Sequence, residues 1–208
     1  MVRWHLPDDW QKAGEPNPLA ISGDAYVRES ANSTATPGPC HGELSGCDCS
    51  TMATLFLICG LPGSGKTTLA KQLELSRPAL RLSPDEWIAS LLSEATDTLE
   101  LDRLRSPVES VQWDVAKRVL ALGIDVVLEW GFWSRDERAS YRAQAEGLGA
   151  RVELSYLDVG RNELWARLSK RNGNLSPGTL LVTEGQLDLW WSWFQPPTAD
   201  ELELQSSE

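Results

Sequence analysis

The segment GLPGSGKTT at residues 60–68 has the residue types and the spacing that bind a phosphate chain. Gly60, Gly65, Lys66 and Thr67 fill the fixed positions of the pattern GxxxxGK(S/T). Glycines allow positive φ, so successive backbone N–H groups can turn toward a β-phosphate at the positive end of the following helix. We call residues 60–68 the phosphate loop. Its nine predicted nucleotide-binding residues are Gly60, Leu61, Pro62, Gly63, Ser64, Gly65, Lys66, Thr67 and Thr68.

Two side chains of the phosphate loop have separate predicted tasks. Lys66 would reach the β- and γ-phosphates, and the Thr67 hydroxyl would ligate Mg²⁺. The sequence has no NKxD run, which usually accompanies guanine selectivity in small GTPases. We therefore expect ATP and Mg²⁺ as the bound nucleotide and metal.

Apolar runs alternate with amphipathic stretches from residue 53 onward. Strands are predicted at residues 53–59, 79–83, 125–130 and 151–159. Serine followed three residues later by glutamate, a capping-box pattern, predicts helix starts at Ser83, Ser106 and Ser134. Parallel strands need crossover connections, and here the crossovers are helical. The sequence therefore predicts an α/β fold, three-layer α/β/α, with a mostly parallel sheet.

The first 51 residues differ in composition from the rest of the chain. They are rich in Pro, Gly, Ser, Asn and Asp and lack helical or strand periodicity, so they are predicted to be a disordered extension. Met52 is a candidate translation start. We predict one kinase-like domain at residues 52–203, followed by a tail at 204–208.

Three cysteines and a histidine cluster within the N-terminal extension. Cys40, His41, Cys47 and Cys49 include a CxC pair, whereas structural zinc sites usually have cysteines two to four residues apart. Reduced thiols are the expected state, and the sequence leaves metal binding open.

The net charge of −11 restricts the partners. A surface that coats nucleic acid or anionic lipid needs a positive field, which this composition opposes. No stretch reaches the roughly 18 to 20 apolar residues of a membrane span, and the N-terminus lacks a signal-peptide pattern. We expect a cytoplasmic protein whose nucleic acid and membrane contacts are disfavoured and whose oligomeric state is open.

Candidate transfer residues follow the second strand and precede a polar loop. Asp85 lies at the carboxyl edge of the predicted sheet, where it could accept a proton from a hydroxyl acceptor or stabilise a helix dipole. Arg167 and Arg171 are four residues apart on one helical face, where they could form a lid over a phosphoryl group or a solvated basic face.

Five stretches in order resemble the small P-loop kinases related to polynucleotide 5′-hydroxyl kinase, chloramphenicol phosphotransferase and zeta toxins. They are GLPGSGKTT, RLSPDEW, VVLEWGFWSRDERASYR, LWARLSKRN and VTEGQLDLWWSWFQPPTADE, and the likeness covers about residues 53–203. The resemblance implies that Asp85 is the general base, that Arg167 and Arg171 form the lid, and that Glu129 helps shape the acceptor and metal site. Polynucleotide kinases would have aspartate at the position of Glu129.

The sequence departs from polynucleotide kinases three residues beyond the base. The resemblance places a phosphate-binding arginine there, whereas this chain has Ile88. The residues nearby are aromatic, which favours a small, partly apolar hydroxyl acceptor over a nucleic acid end. These aromatic residues are Trp87, Trp130, Phe132 and Trp133. Arg135 and Arg138 could meet an anionic acceptor, although surface salt bridges are an alternative use.

The sequence-based hypothesis is an ATP-dependent phosphotransferase. Its predicted catalytic residues are Lys66, Asp85, Arg167 and Arg171, and its predicted substrate-binding residues are Glu129, Trp133, Arg135 and Arg138. One alternative is a 5′-hydroxyl polynucleotide kinase. Another, of a different class, is an ATP-binding switch that signals through a partner and transfers nothing. The acceptor is not specified by the sequence.

Overall fold

A computed structural model describes residues 52–91, 98–174 and 181–203, with the backbone alone at 98–102 and 203. The predictions for residues 1–51, for the cysteine and histidine cluster within them and for the tail at 204–208 lie outside the described residues. Among the residues described, no helix is long and apolar enough to cross a membrane.

The described residues form four strands and seven helices. The strands are β1 Thr54–Cys59, β2 Ala79–Leu82, β3 Asp125–Gly131 and β4 Arg151–Tyr156. The helices are α1 Lys66–Ser76, α2 Pro84–Leu91, α3 Thr98–Ala121, α4 Arg135–Glu146, α5 Arg161–Asn172, α6 Glu184–Trp193 and α7 Ala199–Glu203.

The four strands form one parallel sheet in the order β2-β3-β1-β4. β1 lies in the interior of the sheet, and all six of its residues are buried. Because every strand runs the same way, the segments that follow β1, β2, β3 and β4 all leave the sheet at its carboxyl edge. The sequence-based prediction of a parallel α/β sheet is confirmed.

Alternate side chains of β1 face different helices. Phe56 and Ile58 form a buried cluster with Ala70 of α1, whereas Leu55 and Leu57 lie in a second cluster. The members of that second cluster from other elements include Trp113 and Ala116 of α3 and Ala145 of α4. Burial on both faces gives three layers, with α1 on one side of the sheet and α3 and α4 on the other.

A third apolar cluster lies beside the phosphate loop. Leu61 packs there with Leu164 and Leu168 of α5 and with Leu187 of α6. Leu187 of α6 therefore packs against the phosphate loop, whereas Trp191 of the same helix is 43% exposed.

The capping-box predictions were partly wrong. α3 begins at Thr98 rather than at Ser106 and carries Pro107 inside it. Proline removes one backbone donor, but packing of a long amphipathic helix can outweigh that loss. Ser134 is the N-cap of α4 without a side-chain cap bond. A complete capping box forms instead at Thr183 and Gln186.

Arg138 fixes the C-terminal helix to the rest of the domain. Its side chain is 2% exposed and donates to both carboxylate oxygens of Glu201, at 2.7 and 2.9 Å. It also donates to the carbonyl oxygens of Phe132, at 3.0 Å, and Gln195, at 2.9 Å. The hydrogen bonds from Arg138 to Glu201 are the main reason that the pKa of Glu201 is lowered to about 2. Every nitrogen of the buried guanidinium thus has a partner, as a buried charge requires.

We expect Arg138→Ala to destabilise the domain by about 3–5 kcal/mol, because it leaves the Glu201 carboxylate without its buried cationic partner. The control is Arg135→Ala, which removes a surface ion pair at 2.7 Å to Asp200, where both side chains are more than half exposed, and a longer contact at 3.9 Å to Glu201. That change should cost at most about 1 kcal/mol. Urea unfolding measures both, and equal losses would contradict the anchoring role.

The ion pair between Arg138 and Glu201 also predicts that the stability of the domain depends on pH. The pKa of Glu201 is lowered in the folded chain. The stabilisation that its ionised carboxylate gives to the fold is therefore complete above about pH 4.5 and is lost as the pH falls toward about 2. The stability gap between wild type and Arg138→Ala should narrow across that window. A gap that stays constant would show that the carboxylate is not the relevant partner.

Candidate active site

The phosphate loop has the backbone that its glycines predict. Gly60, Gly63 and Gly65 have φ of 154°, 84° and 104°. A Cβ atom on Gly60 would lie 2.7 Å from the Ser64 hydroxyl oxygen, so a side chain there would displace Ser64. The Gly60 N–H donates to the Gly131 carbonyl at the end of β3, at 2.9 Å. The start of the loop is therefore held by the neighbouring strand.

Lys66 folds back across the loop. Its Nζ donates to the Leu61 carbonyl oxygen at 3.1 Å. Removal from water lowers the pKa of Lys66 to about 8, while the negative charges of Asp85 and Glu129 oppose that shift. The ammonium thus lies within electrostatic reach of both carboxylates and carries its charge at neutral pH.

Thr67 and Glu129 meet at the same end of the loop. The Thr67 hydroxyl donates to Glu129 Oε1, and Arg81 donates to the other carboxylate oxygen at 3.0 Å. Glu129 lies in β3, and its side chain is 6% exposed, so the strand and these two hydrogen bonds together fix its position. A hydroxyl and a carboxylate are oxygen ligands of the kind that Mg²⁺ prefers. These two residues fit the magnesium site expected beside a nucleotide's phosphates.

Asp85 lies in the first turn of α2 with 66% of its side chain exposed. Its carboxylate forms an ion pair with Arg105 of α3. The charge of Asp85 acts on the pKa of Lys66 and on that of Arg171. The carboxylate therefore lies within electrostatic reach of the phosphate loop and of α5.

The two predicted lid arginines both lie at the loop side of α5. Arg167 Nη1 is 3.5 Å from the carbonyl oxygens of Gly63 and Ser64, and its Nε donates to Glu163 at 2.8 Å. Burial lowers the pKa of Arg171, and the Asp85 charge opposes that shift. The arrangement brings Lys66, Asp85, Glu129, Arg167 and Arg171 to one edge of the sheet.

The remaining predicted substrate residues are engaged elsewhere. Trp133 donates from Nε1 to the Gly60 carbonyl at 3.3 Å and packs on Trp190 with ring centroids 5.8 Å apart. Trp133 therefore supports the back of the phosphate loop. Arg135 and Arg138 both pair with carboxylates of α7, so their guanidinium groups are engaged at that helix.

Two aromatic residues that were expected near the acceptor belong to the core. Trp130 is 7% exposed and Phe132 is 1% exposed, and their rings stack at 5.9 Å. Phe132 has φ of 47°, a left-handed conformation that is uncommon outside glycine. Its carbonyl accepts from Arg138 and from the Cys59 thiol. The expectation of an aromatic acceptor site at these two positions is wrong.

Sequence reasoning missed two arginines of the site. Arg81 binds three carboxylates, of Glu74 at 3.1 Å, Glu86 at 2.7 Å and Glu129 at 3.0 Å. An arginine within the apolar strand ALRLS was a usable signal for such a role. Arg105 had no such signal. The predicted helix start at Ser106 left Arg105 outside the helix, whereas it lies within α3.

Buried polar groups lie behind Arg105. Glu109 is 6% exposed and accepts from Arg105 at 3.3 Å, and burial raises its pKa to about 7. Burial and the Glu109 charge raise the pKa of Glu137 to about 8. Gln112 Oε1 accepts from Trp130 Nε1 at 3.0 Å. Carboxyl groups so far from water favour the protonated form.

The phosphate loop on a parallel sheet, with helices on both faces, defines a nucleotide-binding P-loop protein of the three-layer α/β/α class. The chain belongs to the AAA_33 family, described as an AAA domain, whose model matches residues 55–197. The resemblance to the P-loop kinase group is confirmed by this match together with the solved structures of similar fold.

Three solved structures share the fold at low identity. A candidate kinase from Chloroflexus aurantiacus has a TM-score of 0.55 and 17% identity, over 71% of this chain and 82% of that one. Kti12 from Chaetomium thermophilum, solved with ADP-AlF3, has a TM-score of 0.50 and 16% identity, over 69% of this chain and 81% of that one.

The third structure belongs to the Pnkp1/Rnl/Hen1 RNA repair complex. It has a TM-score of 0.53 and 15% identity, over 76% of this chain and 47% of that one. This chain therefore spans less than half of the repair protein. Identities this low show a common fold, so the acceptor must be argued from the residues of this chain.

The lowered pKa of Lys66 predicts a pH dependence of ATP affinity. Above about 8 the free side chain loses its proton, so ATP binding must take up a proton to restore the cation. Affinity should therefore fall by up to about tenfold between pH 8 and pH 9. Calorimetry in two buffers of different ionisation enthalpy measures both the affinity and the proton uptake.

The matched control for this prediction is Lys66→Arg. Arginine keeps its charge across the whole range, so its ATP affinity, whatever its absolute value, should be flat between pH 8 and pH 9. A wild-type affinity that is equally flat would contradict a neutral Lys66 above pH 8.

Proposed function

We propose that the protein transfers the γ-phosphoryl group of ATP to a hydroxyl group of a small-molecule acceptor. The observations that support this proposal are the phosphate loop held at the carboxyl edge of the sheet and the carboxylate of Asp85, which lies within electrostatic reach of Lys66 and Arg171. A base that faces the γ-phosphate region across a gap is what an acceptor hydroxyl needs. A nucleotide switch needs no such base.

Each residue has a role in this transfer. The loop amides and Lys66 bind the phosphates, and Thr67 and Glu129 would hold Mg²⁺, which neutralises phosphate charge when bound. Asp85 accepts the proton of the acceptor hydroxyl while that oxygen bonds to the γ-phosphorus. The bond from the γ-phosphorus to the bridging oxygen breaks, and ADP leaves. Arg167 and Arg171 stabilise the charge on the transferred group.

The support for a small acceptor comes from charge and from the surface around Asp85. The net charge of −11 opposes binding of a polyanion. Ile88, one turn beyond Asp85, is 3% exposed and packs inward, and Trp87 beside it is 36% exposed. An accessible indole next to the base suits an antibiotic-like or metabolite-like hydroxyl compound with an apolar portion.

The proposal is tested by a transfer screen. γ-Labelled ATP and Mg²⁺ are incubated with the protein and with panels of antibiotics, nucleosides, sugars and 5′-hydroxyl oligonucleotides. We expect label on a small molecule, and Lys66→Ala should abolish it. Label on the oligonucleotide alone would favour the polynucleotide kinase alternative. ATP binding with no transfer to any panel would favour the switch.

We expect Asp85→Asn to lower the transfer rate by about 10²- to 10⁴-fold while ATP affinity stays within about threefold. The amide retains the shape of the side chain but cannot accept the proton. Steady-state kinetics and calorimetry give the two quantities.

Asp136→Asn is the matched control for this change. Asp136 is also the second residue of its helix and is also exposed, but it lies at the start of α4. Its substitution tests the effect of losing one helix-dipole charge, and its transfer rate should stay close to wild type. Equal losses in the two variants would refute a base role for Asp85.

A further inference from the structure

Arg105 forms a bridge between the exposed Asp85 and the buried Glu109. Its Nη2 binds Asp85 Oδ1, and its Nη1 donates to Glu109 Oε1 at 3.3 Å. The guanidinium is planar and rigid, so its two ends fix the direction between the two carboxyl groups. We call this contact the Arg105 bridge. It connects α2, which carries Asp85, to the interior of α3.

Asp85 needs an external restraint. It is in the first turn of an eight-residue helix, and 66% of its side chain is exposed. A side chain in water samples several rotamers, only some of which face the phosphate loop. Arg105 binds one carboxylate oxygen and leaves lone pairs on the carboxylate for an acceptor hydroxyl.

Glu109 gives the bridge a fixed end. It lies one turn after Arg105 on α3, and 7% of its side chain is exposed. Burial raises the pKa of Glu109 to about 7, with Arg105 opposing this shift and Asp85 adding to it. A carboxyl oxygen accepts a hydrogen bond whether or not the group is protonated. The buried end of the bridge therefore does not depend on the charge of Glu109.

We propose that Arg105 is the positioning residue of Asp85 and that Glu109, by holding Arg105, sets the direction of the base toward the phosphate loop. The inference rests on the proposed function for its catalytic meaning. Stability is a poor explanation for the contact, because an ion pair with so exposed a partner contributes little to folding. The Arg105 bridge instead orders a side chain that would otherwise be free to rotate.

The kinetic test uses Arg105→Ala with the acceptor that the screen identifies. We expect kcat to fall by about 10- to 100-fold, because a misdirected base costs rate, while the KM for ATP stays within about threefold. Added guanidinium, below denaturing concentrations, should restore part of kcat. The control is Arg103→Ala, an exposed arginine two residues away on α3, which should leave kcat unchanged.

Glu109 variants separate positioning from folding. Glu109→Gln keeps an acceptor oxygen for Arg105, so its kcat should stay within about threefold of wild type. Glu109→Leu removes the acceptor and should lower kcat as Arg105→Ala does, without lowering the melting temperature, since an apolar residue replaces a buried carboxyl. If Glu109→Leu loses kcat and melting temperature together, or if Arg105→Ala retains its kcat, the inference is overturned.

An acceptor-independent measurement tests the Arg105 bridge itself. Side-chain ¹⁵N spectra of the free protein should show separate, slowly exchanging Nη signals for Arg105, which merge in Glu109→Leu. Merged signals in the wild type would overturn the bridge even if phosphoryl transfer is found. Separate signals in a protein that transfers phosphate to nothing would refute the proposed function and leave the bridge intact.

Discussion

The absence of a side chain at Gly60 is the constraint on which the site depends. A Cβ atom there would lie 2.7 Å from the Ser64 hydroxyl oxygen, and the φ of 154° would strain any other residue, so a side chain would disturb the loop. Its N–H bonds to Gly131 of β3, and β3 also carries Glu129, which binds Thr67. One backbone contact therefore aligns the phosphate-binding amides with the candidate metal ligands. The rest of the site is built from side chains that converge on this frame.

The arginines around the candidate site are paired with carboxylates. Arg81, Arg105 and Arg167 each bind at least one glutamate or aspartate in the free protein. Such pairing lets arginines stay near a site without strongly repelling one another. A bound phosphate would stabilise the charged forms of Lys66 and Arg171, because burial disfavours those forms in the free protein, as their lowered pKa values indicate. Phosphate charge offsets that cost of burial.

Local patterns predicted the parts of the molecule that local physics determines. The phosphate loop and the parallel sheet follow from short-range spacing, and both are as expected. Arg105 could not be predicted, because its role depends on how α3 packs beside α2. The same holds for Arg138, whose partner Glu201 is distant in sequence. The start of α3 was misplaced because SPVE has a capping pattern, whereas packing extends the helix through Pro107.

Phe132, whose backbone is in the left-handed conformation, lies between α7 and the phosphate loop. Its carbonyl receives Arg138, which holds α7, and its neighbour Gly131 holds Gly60. Only these two adjacent peptide groups separate the C-terminal anchor from the first amide of the loop. A displacement of α7 would therefore reach Gly60, the first residue of the phosphate loop, through the peptide groups of Phe132 and Gly131.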